Sequence, residues 1–176
     1  MSTFDRLPTA PYSRLAYFPV TCRAGSSLLR GRTRRALSAE EVTKTCEFLL
    51  AIARRRRCPY WLLDGRESLL TQPLELHEWL QADYFPRVRV QLGQPPCIAL
   101  LVAPDLCSDL QQPGYEATIT EWPAWGARVG WFTEESTALA WLRRQEAHAR
   151  ERHQQLAPSA PRMGPAAAGG QLRFNF

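Results

Sequence analysis

The chain has 176 residues, of which 45% are apolar, and its formal net charge is +5. That length suits one domain that can bury a core without disulfides or metal. Its longest strongly apolar run, residues 97–103, is far shorter than the roughly 20 residues of a membrane-spanning helix, and the N-terminus lacks the apolar stretch of a signal peptide. We therefore expect a cytoplasmic protein with no membrane partner.

The first part of the chain predicts a loose leader and then a β-hairpin. Residues 1–11 hold two prolines and few large apolar groups. The runs 12–20 and 26–34 are compatible with two strands, with Gly25 at the turn between them. Because proline cannot donate a ladder hydrogen bond, Pro19 places the first strand at a sheet edge or ends it.

A capping box marks the start of the first predicted helix. Ser38 and Glu41 can each bond the backbone amide of the other, and apolar side chains then recur at helical spacing as far as about Arg57. Pro59 stops this helix. The short apolar run 60–64 that follows is typical of a central strand that is covered on both faces.

A second helix is predicted to begin near residues 71–73, since proline is tolerated in a first turn. Its apolar positions end at Pro86, which is expected to break or kink it. A second helical piece, residues 87–92, is predicted to extend the region toward Gly93. Residues 97–102 form the most strongly apolar segment, bounded by prolines. They predict another strand, followed by a helical turn over 105–110.

The last predicted elements are two strands and a helix. Residues 115–121 and 128–132 have strand patterns, and Thr133 is expected to cap a helix whose first turn is acidic. Leu139, Trp141 and Leu142 should face the core. Beyond about residue 153 the chain is too poor in large apolar groups to order itself.

Four of these segments, 61–64, 79–80, 98–103 and 132–142, resemble small STAS/SpoIIAA-like proteins of bacteria, in particular members from the Bacteroidetes group. The resemblance covers roughly residues 12–145. It implies one α/β domain with a mixed sheet of four to five strands, while residues 146–176 form a helix extension and a tail. It also implies a non-enzymatic, regulatory domain that binds a protein partner or a small ligand.

Members of that family that act as anti-sigma-factor antagonists carry a phosphorylatable serine or threonine in an Asp-Ser-Ser/Thr-Gly type of loop. Here the loop after the central strand reads Asp64-Gly65-Arg66-Glu67-Ser68. Its glycine follows the aspartate directly, and its serine comes three residues later. We therefore interpret Ser68 as a loop or cap residue rather than a phosphorylation site.

Asp64 and Arg66 form the best candidate ligand site, because open α/β sheets bind ligands outside the carboxyl ends of their strands. The pair could hold a polar group, or it could brace the loop as an ion pair, and the brace is the favoured interpretation. Trp122 and Trp125, in a Trp-Pro-x-Trp loop, could present an aromatic contact surface or cover one end of the core.

Arginine supplies nearly all of the positive charge, because Lys44 is the only lysine. A basic surface for nucleic acid is the alternative function, although neither dense run is interleaved with aromatic residues for base stacking. At the end of a helix, arginines also offset the helix dipole. The two runs are Arg30, Arg32, Arg34 and Arg35, and then Arg54, Arg55, Arg56 and Arg57.

The cysteines, at positions 22, 46, 58, 97 and 107, include no C-x-x-C pair. Their spacing does not predict a zinc site, and no cofactor is expected. They suit thiols that serve as small core residues in a reducing compartment.

No catalytic set stands out in the sequence. His77-Glu78 lacks the second histidine of a zinc-protease motif, and His148 and His153 are poorly spaced for one helical face. A hydrolase or transferase therefore ranks last among the hypotheses, and a homodimer is left open.

Overall fold

The structure, a computed structural model, describes residues 15–22, 25–67, 73–105, 119–122 and 126–156. In this part of the chain the strands are β1 (Val20–Cys22), β2 (Leu28–Arg32), β3 (Tyr60–Asp64), β4 (Cys97–Leu101), β5 (Ile119–Trp122) and β6 (Ala127–Phe132). The helices are α1 (Ala39–Arg56), α2 (Leu74–Trp79), α3 (Phe85–Leu92) and α4 (Glu135–Leu156), with a π-helical turn, Leu80–Tyr84, between α2 and α3.

The strands form one mixed sheet in the order β1-β2-β3-β4-β6-β5. β2, β3, β4 and β6 are parallel, while β1 and β5 pair antiparallel at the two edges. Parallel neighbours need a crossover, which α1 provides between β2 and β3, and the α2–α3 segment between β3 and β4. The predicted α/β class with a mixed sheet is confirmed. Among the described residues the sheet has six strands, more than the four to five that the resemblance implies, because an antiparallel strand lies at each edge.

Both faces of the sheet are buried. Successive residues of β3 point to opposite faces, so Trp61 packs on the side of α1 and α3, whereas Tyr60 and Leu62 pack on the side of α4. The α1 side is built around Leu29, Leu49, Leu50, Ala53, Trp61, Val88, Ile98 and Val129. The α4 side is built around Tyr60, Leu62, Cys97, Ala99, Leu101, Ala138, Trp141 and Leu142.

The hairpin pairs as predicted, but its first strand is shorter. Val20 lies opposite Gly31, and Cys22 lies opposite Leu29. The prediction of a strand over 12–20 is wrong for the described residues before Val20, where β1 begins. Pro19 O still accepts from Arg32 N at 3.2 Å, but Pro19 has no N–H with which to complete the pair. Gly25 has a φ of 74° in the connection, a backbone conformation that favours glycine.

The capping box of α1 forms as predicted. Ser38 Oγ accepts from Glu41 N at 3.3 Å, and Glu41 Oε2 accepts from Ser38 N at 3.0 Å. Hydrogen bonds from Arg35 and Ser38 lower the pKa of Glu41 to about 2. At the other end of the helix, Arg57 adopts a left-handed conformation with a φ of 54°.

Pro86 does not break the second helix. α2 continues through the π-helical turn into α3, and Phe85 N donates to Leu80 O, five residues back. A proline ring clashes with the carbonyl four residues before it in an α-helix, and the wider π turn relieves that conflict just ahead of Pro86. The helical region ends where predicted, with Gly93 left-handed at a φ of 70°.

The remaining elements agree with prediction to within a few residues. The central strand is β3, with the predicted bounds, and β4 ends one residue early, at Leu101. α4 begins at Glu135, so Glu134 rather than Thr133 precedes its first residue, and the predicted Thr133 cap is wrong. Trp141 and Leu142 are buried, and Leu139 packs against the same cluster, as predicted.

Several predictions concern residues outside the described ranges. These are the leader 1–11, the strand residues before 119 in the run 115–121, most of the helical turn 105–110, and the tail after Leu156. Among the residues that are described, no helix is long and apolar enough to cross a membrane.

The capping box yields a stability prediction. Ser38→Ala removes the acceptor for Glu41 N, and we expect it to lower the free energy of unfolding by about 1 kcal/mol. Urea denaturation followed by circular dichroism measures the change. Ser136→Ala, the same change at an exposed position of α4, should have less than about half that effect. Equal losses for the two variants would contradict a specific role for the cap.

Candidate functional site

Asp64 ends β3, one of the inner strands of the sheet, and Arg66 follows two residues later. Both lie at the carboxyl edge of the sheet, which is the side where the parallel strands end. The Asp64 carbonyl accepts a hydrogen bond from Thr33 N at 2.9 Å, and Gly65 N donates to Leu101 O at 2.9 Å. These bonds extend the ladders on both sides of β3 beyond its last residue. The position of Asp64 is therefore fixed by two neighbouring strands.

The Asp64 carboxylate is paired with two arginines. Arg66 Nε donates to Asp64 Oδ1 at 2.9 Å, and Arg66 Nη2 donates to Oδ2 at 2.7 Å. The Arg66 backbone N–H donates to Oδ1 at 3.3 Å, and Arg32 Nε lies 3.6 Å from Oδ2. A two-pronged pair of this kind is a strong, geometrically specific contact. Arg66 thus points at Asp64, which is the geometry that the brace interpretation predicts.

The ion pair also sets the protonation of both groups. Hydrogen bonding from Arg66 lowers the pKa of Asp64, against an opposing effect of burial. The same hydrogen bond raises the pKa of Arg66. Both groups therefore stay charged at neutral pH, and the pair acts through its charge and geometry rather than by proton transfer.

Trp122, another proposed site residue, lies at the opposite edge of the sheet from Asp64, because it pairs with Ala127 at the start of β6. Ser68 and Trp125 lie outside the described residues, and the side chain of Trp122, which ends β5, does so as well. Their assignments as a loop residue and as an aromatic contact surface stay predictions.

The two arginine runs lie at opposite edges of the sheet. Arg32 ends β2 at the carboxyl edge, with Arg34 and Arg35 just beyond it, and α1 then carries the chain back to Arg56 at the amino edge. A helix of 18 residues is about 27 Å long. The runs therefore do not form one compact basic patch, and a nucleic acid that contacts both would have to span the sheet.

Much of the charge of the first run is balanced within the domain. Arg30 Nη1 lies 2.7 Å from Glu135 Oε1. Arg35 donates to both carboxylate oxygens of Glu41, at 2.9 and 2.6 Å, and its guanidinium lies 5.0 Å from the centre of the Tyr17 ring. These contacts fasten the carboxyl edge to the starts of α1 and α4.

The second run leaves the amino edge more strongly basic. Arg54, Arg55, Arg56 and Arg57 are all exposed at the end of α1, where their charge offsets the helix dipole as expected. Within the described part of the chain, no acidic side chain pairs with Arg54, Arg56 or Arg57.

A small cavity opens at the same amino edge, on the face of the sheet that α4 covers. Its floor comes from the starts of neighbouring parallel strands, where Tyr60 lies beside Cys97, and Cys97 beside Arg128. Gln94 and Pro95, just before β4, also line it. The cavity has a volume of about 80 Å³.

α4 supplies the wall of this cavity through Gln145, Ala149 and Arg152. Spacings of four and three residues place these side chains on one helical face. α4 has 22 residues, whereas β3 and β4 have 5 each. The wall exists because α4 continues past the amino ends of the strands that it covers.

The cavity is rich in hydrogen-bond donors. Arg128 Nη1 donates to Gln145 Oε1 at 2.9 Å and so links the sheet to α4. Burial is the main cause of the raised pKa of Tyr60, with Cys97 and Glu146 adding to it and Arg150 and Arg152 opposing it. The Tyr60 hydroxyl therefore stays protonated at neutral pH and can donate.

Glu146, the carboxylate that acts on Tyr60, already has partners. Its Oε1 accepts from Ser27 Oγ at 2.7 Å and from Arg150 Nη2 at 2.8 Å. These contacts balance part of its negative charge and join the start of β2 to α4. Arg128 and Arg152 are the charged residues among those that line the cavity.

The sequence did not point to this cavity, because ligands of open α/β sheets usually bind at the carboxyl edge. The helical spacing of Gln145, Ala149 and Arg152 was visible in the sequence. The alignment of Tyr60, Cys97 and Arg128 was not, because it depends on the register of three strands that are distant along the chain.

The structure also places the histidines and cysteines. His77, His148 and His153 are exposed, as predicted. Cys46 and Cys97 pack with apolar residues, while Cys107 lies outside the described ranges. Among the residues that the structure describes, no group of three or more histidine, cysteine, aspartate or glutamate side chains could hold a metal ion.

Comparison with protein-family models gives no match, and comparisons with curated proteins and with solved structures likewise give none. A function for this chain must therefore be inferred from its own geometry.

The Asp64 ion pair predicts a pH dependence. Because the pKa of Asp64 is lower in the folded state, its contribution to stability is present above the unfolded-state pKa and is lost as the pH falls through the folded-state value. We expect Asp64→Asn to weaken folding at pH 7 and to converge with the wild type in strong acid. Urea unfolding between pH 7 and pH 2 measures this. Glu75→Gln, at an exposed position of α2, is the control, and a constant gap between wild type and Asp64→Asn at every pH would contradict the ion-pair explanation.

Proposed function

We propose that this protein is a non-enzymatic binding domain, and that its ligand is a small oxyanion, such as a phosphate or carboxylate group, held at the amino edge of the sheet. The observation that carries the proposal is the convergence of Arg128, Arg152 and Tyr60 on one cavity. Arginine recognises carboxylate and phosphate groups by charge and by paired N–H donors.

The size of the cavity agrees with a small group. A water molecule needs roughly 10–15 Å³ of space measured with a water-sized sphere, so about 80 Å³ accommodates several waters or an anionic group of similar size. Ala149 contributes to this room, because it presents only a methyl group where the neighbouring lining positions of α4 carry long polar side chains.

The carboxyl edge is less suited to the same task. Asp64 already accepts from Nε and Nη2 of Arg66, with Arg32 nearby, so an anion there would have to compete with a carboxylate fixed at the end of β3. We therefore place the ligand at the opposite edge from Asp64. Membership of the STAS/SpoIIAA-like family and a regulatory role stay proposals, supported by the α/β architecture and by the packing segments described above.

An NMR titration tests the site. Inorganic phosphate and acetate are added to ¹⁵N-labelled protein at low ionic strength, and we expect saturable shifts at the amides of Cys97, Arg128 and Arg152. Arg152→Gln should weaken binding of the preferred anion at least roughly tenfold, because it removes a charge-assisted hydrogen bond. Ala149→Leu should also weaken binding, because the larger side chain fills the cavity.

Arg143→Gln is the matched control, since Arg143 is exposed on α4 and does not line the cavity. It removes the same charge and should leave the affinity close to that of the wild type. Shifts that do not saturate, or equal losses in Arg143→Gln and Arg152→Gln, would reject a specific oxyanion site.

The same variants separate this proposal from nucleic-acid binding. A single-stranded oligonucleotide bound through the arginine run should show a steep decrease in affinity with salt. If replacing Arg54, Arg55, Arg56 and Arg57 by glutamine abolishes that binding while Arg152→Gln does not, and phosphate gives no saturable shifts, the nucleic-acid alternative is preferred.

A further inference from the structure

Cys22 and Cys58 form a close pair of thiols that the proposed anion site does not use. Their Sγ atoms lie 2.7 Å apart although the residues are 36 positions apart in the chain. Both sulfurs also face the carbonyl of Ser26, at 3.9 Å from Cys22 and 3.4 Å from Cys58. A disulfide joins two sulfurs at about 2.05 Å, so a small closing movement is sufficient to bond them.

The backbone holds this pair in place from both sides. Cys22 ends β1 opposite Leu29 of β2. Cys58 follows the left-handed residue that ends α1, and its N–H donates to Ala53 O at 3.0 Å. Two residues later, Tyr60 N donates to Ser27 O at 3.3 Å. The meeting of the sulfurs therefore results from the hairpin and the crossover together.

The two cysteines differ in their surroundings. Cys58 is completely buried, and burial followed by the hydrogen bond with Cys22 raises its pKa to about 12. Cys22 is only half-buried, at the end of an edge strand. Because the thiolate is the reacting species, the more accessible Cys22 is suited to react first, and Cys58 is placed to react with the product.

We propose that Cys22 and Cys58 form a reversible disulfide when the protein meets a hydroperoxide. The Cys22 sulfur gives up its proton and attacks one peroxide oxygen, the O–O bond breaks, and Cys22 becomes a sulfenic acid as water leaves. The Cys58 sulfur then loses its proton, bonds the Cys22 sulfur and displaces the hydroxyl as a second water. Two thiols thus lose two electrons in total, and one hydrogen peroxide is reduced to two waters.

The bond would change how firmly the edge of the sheet is held. β1 has three residues, and among the described strands it pairs with β2 alone, so its few hydrogen bonds allow the hairpin to open locally. A disulfide to Cys58 ties β1 to the segment that enters the central strand β3, and it also restricts the unfolded chain. The oxidised protein should therefore melt at a higher temperature than the reduced protein.

Peptide mapping tests the pairing in the full-length protein. The reduced protein is treated with a small excess of hydrogen peroxide, remaining thiols are alkylated, and the non-reduced digest is analysed by mass spectrometry. We expect a Cys22–Cys58 peptide, loss of two alkylation sites, recovery of both with dithiothreitol, and a melting midpoint raised by several degrees in the oxidised form. This measurement needs no substitution, so it does not depend on how a variant folds.

Three variants test the order of the steps. Cys58→Ser should leave a sulfenic acid on Cys22 that a dimedone probe labels, while Cys22→Ser should abolish the linked peptide. Cys46→Ser, which alters another partly buried thiol, should oxidise like the wild type. If Cys22 and Cys58 stay open to alkylation after oxidation of the folded protein, or if the linked peptide contains Cys97 or Cys107 instead, the proposal is overturned.

Discussion

Parallel pairing of β2, β3, β4 and β6 is the constraint on which the rest of the molecule depends. Parallel neighbours cannot be joined by a tight turn, so the chain must return through helices after β2 and after β3. These helices bury one face of the sheet, and α4 covers the other. All four strands begin at one edge and end at the other, and the two edges therefore become chemically different surfaces.

The difference between the edges is mainly one of charge balance. At the carboxyl edge, acidic and basic groups are matched: Asp64 pairs with Arg66, and Glu135 with Arg30. At the amino edge, arginines at the end of α1 and along α4 outnumber the acidic residues of the same segments, and Arg128 and Tyr60 line a cavity. The usual arrangement of open α/β sheets, with the ligand at the carboxyl edge, is thus reversed in our proposal.

The same helix, α4, packs in the core and lines that cavity. A Cβ atom at Gly130 would lie 2.7 Å from the ring of Phe132, which is closer than real Cβ atoms approach other atoms, and 3.5 Å from the ring of Trp141. The absence of a side chain at Gly130 therefore lets these two rings pack between β6 and α4. Trp141 is almost fully buried there, and its helix carries Ala149 and Arg152 two to three turns further, to the amino edge.

The sequence by itself determined the local structure, because the signals for it are local. Ser38 and Glu41 define the start of α1, the apolar run 60–64 defines β3, and Pro19 limits the first strand. Local rules were less accurate where neighbouring preferences competed. Pro86 predicted a break or a kink, and a π turn accommodates it without a break, while α4 begins one residue later than a Thr133 cap requires. In both cases the backbone hydrogen bonds of a whole helical turn, rather than the preference of a single residue, determined the structure.

Only the tertiary structure decided which distant residues meet. The row of Tyr60, Cys97 and Arg128 depends on the register of three strands, and the contact of Cys22 with Cys58 depends on a hairpin and a crossover at once. The arginine runs looked alike in the sequence, yet α1 separates them by its full length. Pairing between strands and the path of the crossovers are set by packing of the whole core, so no local pattern carries this information.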